Sequence, residues 1–265
     1  MKGVLSVNMN PSRRPLAKLS QFGITSIHRR QPLMVAWWSA AFPGFGHFLL
    51  NHYLRATFLT LSEVIFNTLS HINEAIVLSF CGRFAQAKAI LEPRWILGYI
   101  IIYFIAMWDS YRLTIYQNKL CYLAEFEKEP LPNLRFYASE IQYVQPKNPL
   151  TASLLSLFFP GFGQLYNHRI GLAFYAISWW WLYISLSHVH ESLIYILTGR
   201  IMDSIPVLQP HWLMFMPSVI GGSIYHAYIN AKEHNQLYSR EQRQYLIQRY
   251  SSSSVRIFGK SGGDA

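Results

Sequence analysis

Glu63 stands inside an apolar run, with Phe58, Leu59, Leu61, Val64, Ile65 and Phe66 around it. A charged carboxylate at bilayer depth costs about 2.5–3.5 kcal/mol on insertion scales, so such a group must be protonated or paired. Two readings are open: a proton or cation site, or a carboxyl that hydrogen-bonds a neighbouring helix. A second kind of chemistry is offered twice, since His71-x-x-Glu74 recurs as His188-x-x-Glu191, with His190 beside the latter. Spacing of i, i+3 puts imidazole and carboxylate on one helical face. One such pair from each of two helices resembles the ligand sets of carboxylate–histidine bundles. Both pairs fall at the ends of apolar runs, however, where polar interfacial residues are ordinary. They are therefore read as hydrogen-bonded helix ends, and neither a metal nor another cofactor is expected. Asp109 and Arg112 read as a local salt bridge, and Trp37-Trp38 and Trp179-Trp180-Trp181 as membrane-interface anchors. No Ser/His/Asp order, HExxH, glycine-rich phosphate loop or paired-carboxylate spacing occurs, so no catalysis is expected.

What positions these residues is a segment present twice. Phe42-Pro43-Gly44-Phe45-Gly46 returns 117 positions later as Phe159-Pro160-Gly161-Phe162-Gly163, and the offset then holds without a gap. Ser70-His71 matches Ser187-His188, Gly82-Arg83 matches Gly199-Arg200, and Pro93-x-Trp95 matches Pro210-x-Trp212. Tyr111, Asn118 and Leu120 match Tyr228, Asn235 and Leu237. Register kept over about ninety residues is the mark of a duplicated structural unit. Glu63 is outside the shared pattern, because Trp180 takes its place in the second copy.

The bulk composition points to a membrane. Hydrophobic residues make up 51% of the 265 and charged ones 14%, against about 25% charged in a typical soluble domain. The net charge of +10 comes from basic residues at the ends and in the links, a pattern of topology control rather than of a nucleic-acid groove. Cys81 and Cys121 share no CxxC spacing, so neither a disulfide scaffold nor a zinc site is indicated.

Each copy divides into three apolar segments: residues 33–50, 56–80 and 95–108, then 150–166, 171–186 and 212–229. The links after the first segments, residues 51–55 and 167–170, are so short that each copy opens with a helical hairpin. Pro43, Gly44, Gly46 and Pro160, Gly161, Gly163 lie within the first arm. Proline removes a backbone donor and glycine admits a second backbone, so the arm is expected to kink or unwind there. Residues 74–91 read as an amphipathic interfacial helix. Residues 112–148 read as a polar link with a short helix and an extended stretch, and residues 232–250 as a charged helical run before a disordered Ser/Gly tail.

Six spans would put both termini on one side. With that side cytoplasmic, the lysines and arginines divide 16 inside to 7 outside, of 23, the sign expected of N-in, C-in topology. Three spans per copy also predict copies of inverted orientation, the construction of many transporters. The loss of Lys88 and Arg94 to Ile205 and His211 in the second copy fits a link moved to the outer face.

The run Phe159-Pro-Gly-Phe-Gly-Gln-Leu-Tyr-Asn167, followed by an apolar stretch, resembles the PGxGQxYN hairpin of TM2-like small membrane proteins, and residues 42–51 match it more loosely. The resemblance covers about thirty-five residues per copy. It implies a membrane-embedded helical hairpin without defined catalysis.

The sequence thus predicts an all-α integral membrane protein of about six spans in two inverted three-helix repeats. A basic cytoplasmic segment (1–31) precedes the first repeat (32–120). A polar linker (121–148), the second repeat (149–237) and a basic C-terminal tail (238–265) follow. The expected role is structural, assembly or regulatory in the plasma membrane, with the lipid bilayer, other membrane proteins or a second copy as partners and no nucleic acid. The alternative is a small inverted-repeat transporter or channel in which Glu63 is the intramembrane carboxylate.

Overall fold

Proline at the first helical position opens four helices here, where its missing N–H would be unpaired in any case. In the computed structural model, which describes residues 14–127, 131, 134–138 and 141–250, these are α1 (Pro32–Ala41), α6 (Pro93–Glu127), α7 (Pro149–Phe158) and α12 (Pro210–Leu213). The fold is mostly helical. Between the first pair lie α2 (Phe45–Leu49), α3 (Tyr53–Ser70), α4 (Ile72–Phe80) and α5 (Phe84–Ile90). Their counterparts are α8 (Phe162–Tyr166), α9 (Ile170–Ser187), α10 (Val189–Leu197) and α11 (Ile201–Ser204). The chain closes with α13 (Met216–Tyr250). The boundaries of α1 to α4 reappear in α7 to α10 at the sequence offset of 117. So do the residues at positive φ: Gly44 and Gly161, Asn51 and His168, His71 and His188, Gly82 and Gly199. The third elements differ by one break. Where α6 runs unbroken, Pro217 stands in place of Ile100, and the helix divides into α12 and α13 just before it.

The Pro-Gly motif reverses the chain. Phe42 is extended, Gly44 is left-handed at φ 93°, and α2 returns along α1. The approach is close: a methyl group added at Gly46 would meet the Val35 carbonyl oxygen at 2.6 Å. Gly163 sits in the same way on α7, against the Ala152 carbonyl and Ser156. Both first segments therefore enter and leave at one end, which we term proximal. There the Asn51 amide donates to the Ser26 carbonyl at 3.2 Å, and the Arg30 backbone N–H donates to Asn118 Oδ1 at 2.9 Å.

From the proximal end α3 and α9 run to the distal end, α4–α5 and α10–α11 lie across it, and α6 and α12–α13 return. At 1.5 Å per residue an 18-residue helix is about 27 Å long, close to the hydrocarbon thickness of a bilayer. The copies meet at matching ends. Arg169 Nη1 donates to Asn51 Oδ1 at 2.7 Å proximally, and Asn73 Nδ2 donates to the His211 carbonyl at 2.9 Å distally. The expected inverted orientation is thus corrected: the copies are parallel. The reason is the internal reversal, which leaves each copy with two long traverses rather than three.

Among the described residues two helices, Pro93–Glu127 and Ile170–Ser187, are long and apolar enough to cross a membrane. The α3 helix is as long as α9 but carries Thr57, Thr60, Ser62, Glu63, Asn67 and Thr68. The expected single helix over 74–91 is two, α4 and α5, separated at left-handed Gly82.

The proximal end carries structure the sequence reading did not anticipate. Strands β1 (Ala17–Ser20) and β2 (Gly23–Ser26) form one antiparallel hairpin, and β3 (Leu134–Phe136) and β4 (Ile141–Tyr143) form another. Leu19 and Ile24 pack with Val144 and Leu237, joining N-terminal hairpin, linker and α13 in one small core. Arg29 and Arg240 flank Glu125, and Arg14 pairs with Glu127 at 3.2 Å. The expected short linker helix is the end of α6, and the charged run after residue 231 is the end of α13. Arg13 and the Ser/Gly tail from residue 251 lie outside the described residues.

Candidate functional site

Glu63 lies near the middle of α3, ten residues beyond Tyr53, and is 2% exposed. Asn67, one turn on, donates to Glu63 Oε1 at 3.1 Å and to Asn73 Oδ1 at 3.0 Å. Asn73 follows left-handed His71, and its side chain reaches the His211 carbonyl of the second copy. His211 Nε2 in turn lies 3.0 Å from Thr68 Oγ1. A chain of amides therefore runs from the buried carboxyl to the distal end. Tyr99 and Tyr103 of α6 are linked hydroxyl to hydroxyl at 2.8 Å, and Tyr183 of α9 is buried. Glu63 Oε2 and Tyr183 Oη are buried without a hydrogen-bond partner among the described residues.

A second buried polar group lies nearer the proximal end. Asp109 Oδ2 accepts from Arg55 Nη1 at 2.7 Å and lies 3.2 Å from His47 Nε2, while Oδ1 accepts from Arg112 at 2.9 Å. The sequence reading named only Arg112. His47 comes from α2, which turns back along α1, and is fully buried, so the Pro-Gly reversal itself delivers the imidazole to the carboxylate. The second copy has no such charges. Gln164 replaces His47 and donates to the Ser223 carbonyl at 3.1 Å, while His226 replaces Asp109 and contacts Asn230.

No protein-family model, curated protein or solved structure matches the chain. Its chemistry is therefore read from its own geometry.

The two repeated pairs are intact: His71 Nδ1 lies 3.2 Å from Glu74 and His188 Nδ1 lies 3.0 Å from Glu191. Parallel copies put both at the distal end, where an inverted pair would have been at opposite ends. They still do not converge, and no group of three His, Cys, Asp or Glu able to hold a metal occurs among the described residues. All four side chains are more than 40% exposed, in keeping with helix-end pairs. Between the copies lies a cavity of about 80 Å³ lined by Phe42, Phe45, Thr60, Gln164, Trp179 and Tyr183 among others. Small-molecule sites run roughly 300–1,000 Å³, so this space is too small for a typical substrate.

The structure thus brings Glu63 together with Asn67, Asn73, Tyr99, Tyr103 and Tyr183, none of them singled out in the sequence. One signal was there: Glu63 and Asn67 are i, i+4 and so share a helical face. The tyrosines carried none, since seventeen are spread through the chain.

Proposed function

We propose that the chain is a multi-pass membrane protein with four full crossings, made by α3, α6, α9 and α12–α13, and two re-entrant hairpins, α1–α2 and α7–α8. This replaces six spans. Large apolar side chains face outward along the crossings, among them Phe58 and Ile65 of α3, Phe104 and Ile105 of α6, and Phe174 and Trp181 of α9. The charge distribution supports the arrangement. Of the eighteen lysines and arginines among the described residues, only Arg83, Lys88, Arg94 and Arg200 belong to distal segments, leaving fourteen in proximal ones. That is a stronger positive-inside bias than six spans give, with N-terminus, linker and C-terminus all cytoplasmic. The resemblance of the second hairpin to TM2-like proteins fits such a re-entrant element. Exposed Cys81 tests the topology. Four spans require a membrane-impermeant maleimide to label Cys81 in intact cells and to spare a cysteine at Asn51. Six spans require the reverse.

The function we propose is non-catalytic: assembly or regulation through the proximal cap. One observation carries it. The β3–β4 hairpin leaves Leu134, Phe136 and Ile141 exposed on a cap otherwise fixed by ion pairs and its own core. A photo-crosslinker at Phe136 in native membranes is expected to give a discrete adduct that Ile141→Lys abolishes. No adduct, or one indifferent to Ile141→Lys, would remove this reading.

A second reading, proton or cation translocation, draws on Glu63 and its amide chain. Glu63→Gln should then abolish pH-driven flux in proteoliposomes. Flux equal to the native protein's would dismiss it.

A further inference from the structure

A cleft of about 410 Å³ lies at the proximal end between the β1–β2 hairpin and the first turns of α3 and α9. Ser20, Phe22 and Thr25 form one wall; Thr57, Leu172 and Tyr175 form the other. Arg169 lies in it at 8% exposure. Its Nη1 donates to Asn51 Oδ1 at 2.7 Å and to Tyr53 Oη at 3.0 Å, both neutral. Among the described residues no carboxylate pairs with Arg169, and the nearby Glu233 is taken by Arg30 at 2.6 Å. Buried charges are as a rule paired, because desolvation of a lone ion is expensive.

Of the bases around this arginine, two imidazoles are held neutral and Lys147 stays largely cationic. Burial, then the charges of Arg30 and Arg169, push His28 down to about 3. Burial, then Lys147, His168 and Arg169, push His234 down to about 4. Burial alone pushes Lys147 down to about 8. Arg169 is thus a buried cation held by neutral groups, and the fork of a guanidinium matches phosphate oxygens. The apolar half of the cleft narrows the choice. Phe22 stands 65% exposed at the hairpin tip, and Leu172 and Tyr175 continue along α9. A free phosphate has no use for such a wall, whereas an acyl chain does.

We propose that this cleft binds one anionic phospholipid, its phosphodiester on Arg169 and an acyl chain along Leu172 and Tyr175. The proposal rests on the membrane reading above, which puts the turns at Asn51 and Arg169 at headgroup level.

The test is native mass spectrometry of the full chain in mild detergent, incubated with phosphatidylglycerol or with phosphatidylcholine. One retained phosphatidylglycerol per chain is expected. Arg169→Gln should lower its retention about 10-fold, the weight of one charge-assisted hydrogen bond. Arg83→Gln, which removes the same charge distally, should leave it unchanged. Gly171→Leu gives a second measure that keeps Arg169. A methyl group there first meets Phe22 Cβ at 3.8 Å, so the larger side chain fills the cleft, and lipid should be lost. If Arg169→Gln does not fold, Gly171→Leu decides. Native retention in both variants, or equal binding of phosphatidylcholine, overturns the proposal. Displacement by excess inorganic phosphate also overturns it, since the site would then take a free anion. Release of the native chain by carbonate extraction would instead sink the membrane reading itself.

Discussion

Superposed by their offset, the two copies share a backbone and disagree about what fills it. Glu63, Asn67, Tyr99 and Tyr103 of the first become Trp180, Ile184, Met216 and Ile220 in the second. The first interior is a polar network, and the second is an aromatic core built on Trp180, Tyr183, Phe215 and Met216. What both retain is the frame: the Pro-Gly reversals and four pairs of positions at positive φ. Backbone turns and close approaches tolerate few residue types, whereas a helix interior accepts either packing or hydrogen bonding. The carboxyl–amide network on Glu63 is therefore a property of the first copy alone.

The largest contrast is expected at the reversals. A methyl group at Gly44 meets the Ala56 carbonyl oxygen at 2.5 Å, while at Gly161 the corresponding Ala173 carbonyl oxygen stands looser, at 2.8 Å, with Ile177 Cγ1 at 2.6 Å. Gly44→Ala should cost about 4 kcal/mol and Gly161→Ala about 2 kcal/mol, read from thermal unfolding in micelles. Equal losses would mean that the frame is equally tight in both copies. Next come the buried polar centres. Asp109→Asn strips a carboxylate from two guanidiniums and an imidazole, with an expected loss of about 3 kcal/mol. Its counterpart change, His226→Asn, should cost about 1–2 kcal/mol.

Acid should weaken the second copy through His234. His234 stands where the first copy has Gln117, and burial followed by neighbouring cations lowers it to about 4 from 6.5. Its folded value lies below its unfolded one, so the unfolded chain binds the extra proton. The contribution is complete above about 6.5 and is lost as the pH falls towards 4. His234→Gln, which copies the first repeat, should flatten the melting temperature against pH over that window.

Glu63→Gln keeps shape and one amide contact, so a change within about 1 kcal/mol is expected. A much larger loss would reveal an ionised carboxylate with a partner. Smallest of all, Glu74→Gln and Glu191→Gln break exposed i, i+3 pairs and should each change stability by less than about 0.5 kcal/mol.

Much of this frame was legible in the chain. The 117-residue offset foretold the matching boundaries, and the Pro-Gly pairs foretold a break in each first arm. What the motif did not reveal was the angle of that break. A kinked span and a full reversal share the same residues, and the difference rests on the contact of Gly46 with Val35, eleven residues apart. Orientation followed from that one angle, so the inverted arrangement was read where a parallel one exists. Glu63 was legible because a lone carboxylate among phenylalanines stands out. The network beyond Asn67 was not, since Asn73 and His211 join it across a turn and from the other copy. The hairpins were missed because each strand has only three or four residues.

The parallel copies have a consequence for how such a chain grows. A unit with an even number of long traverses gives back its tail on the side where its head began. Two such units can therefore be joined end to end through one linker with both keeping the same direction.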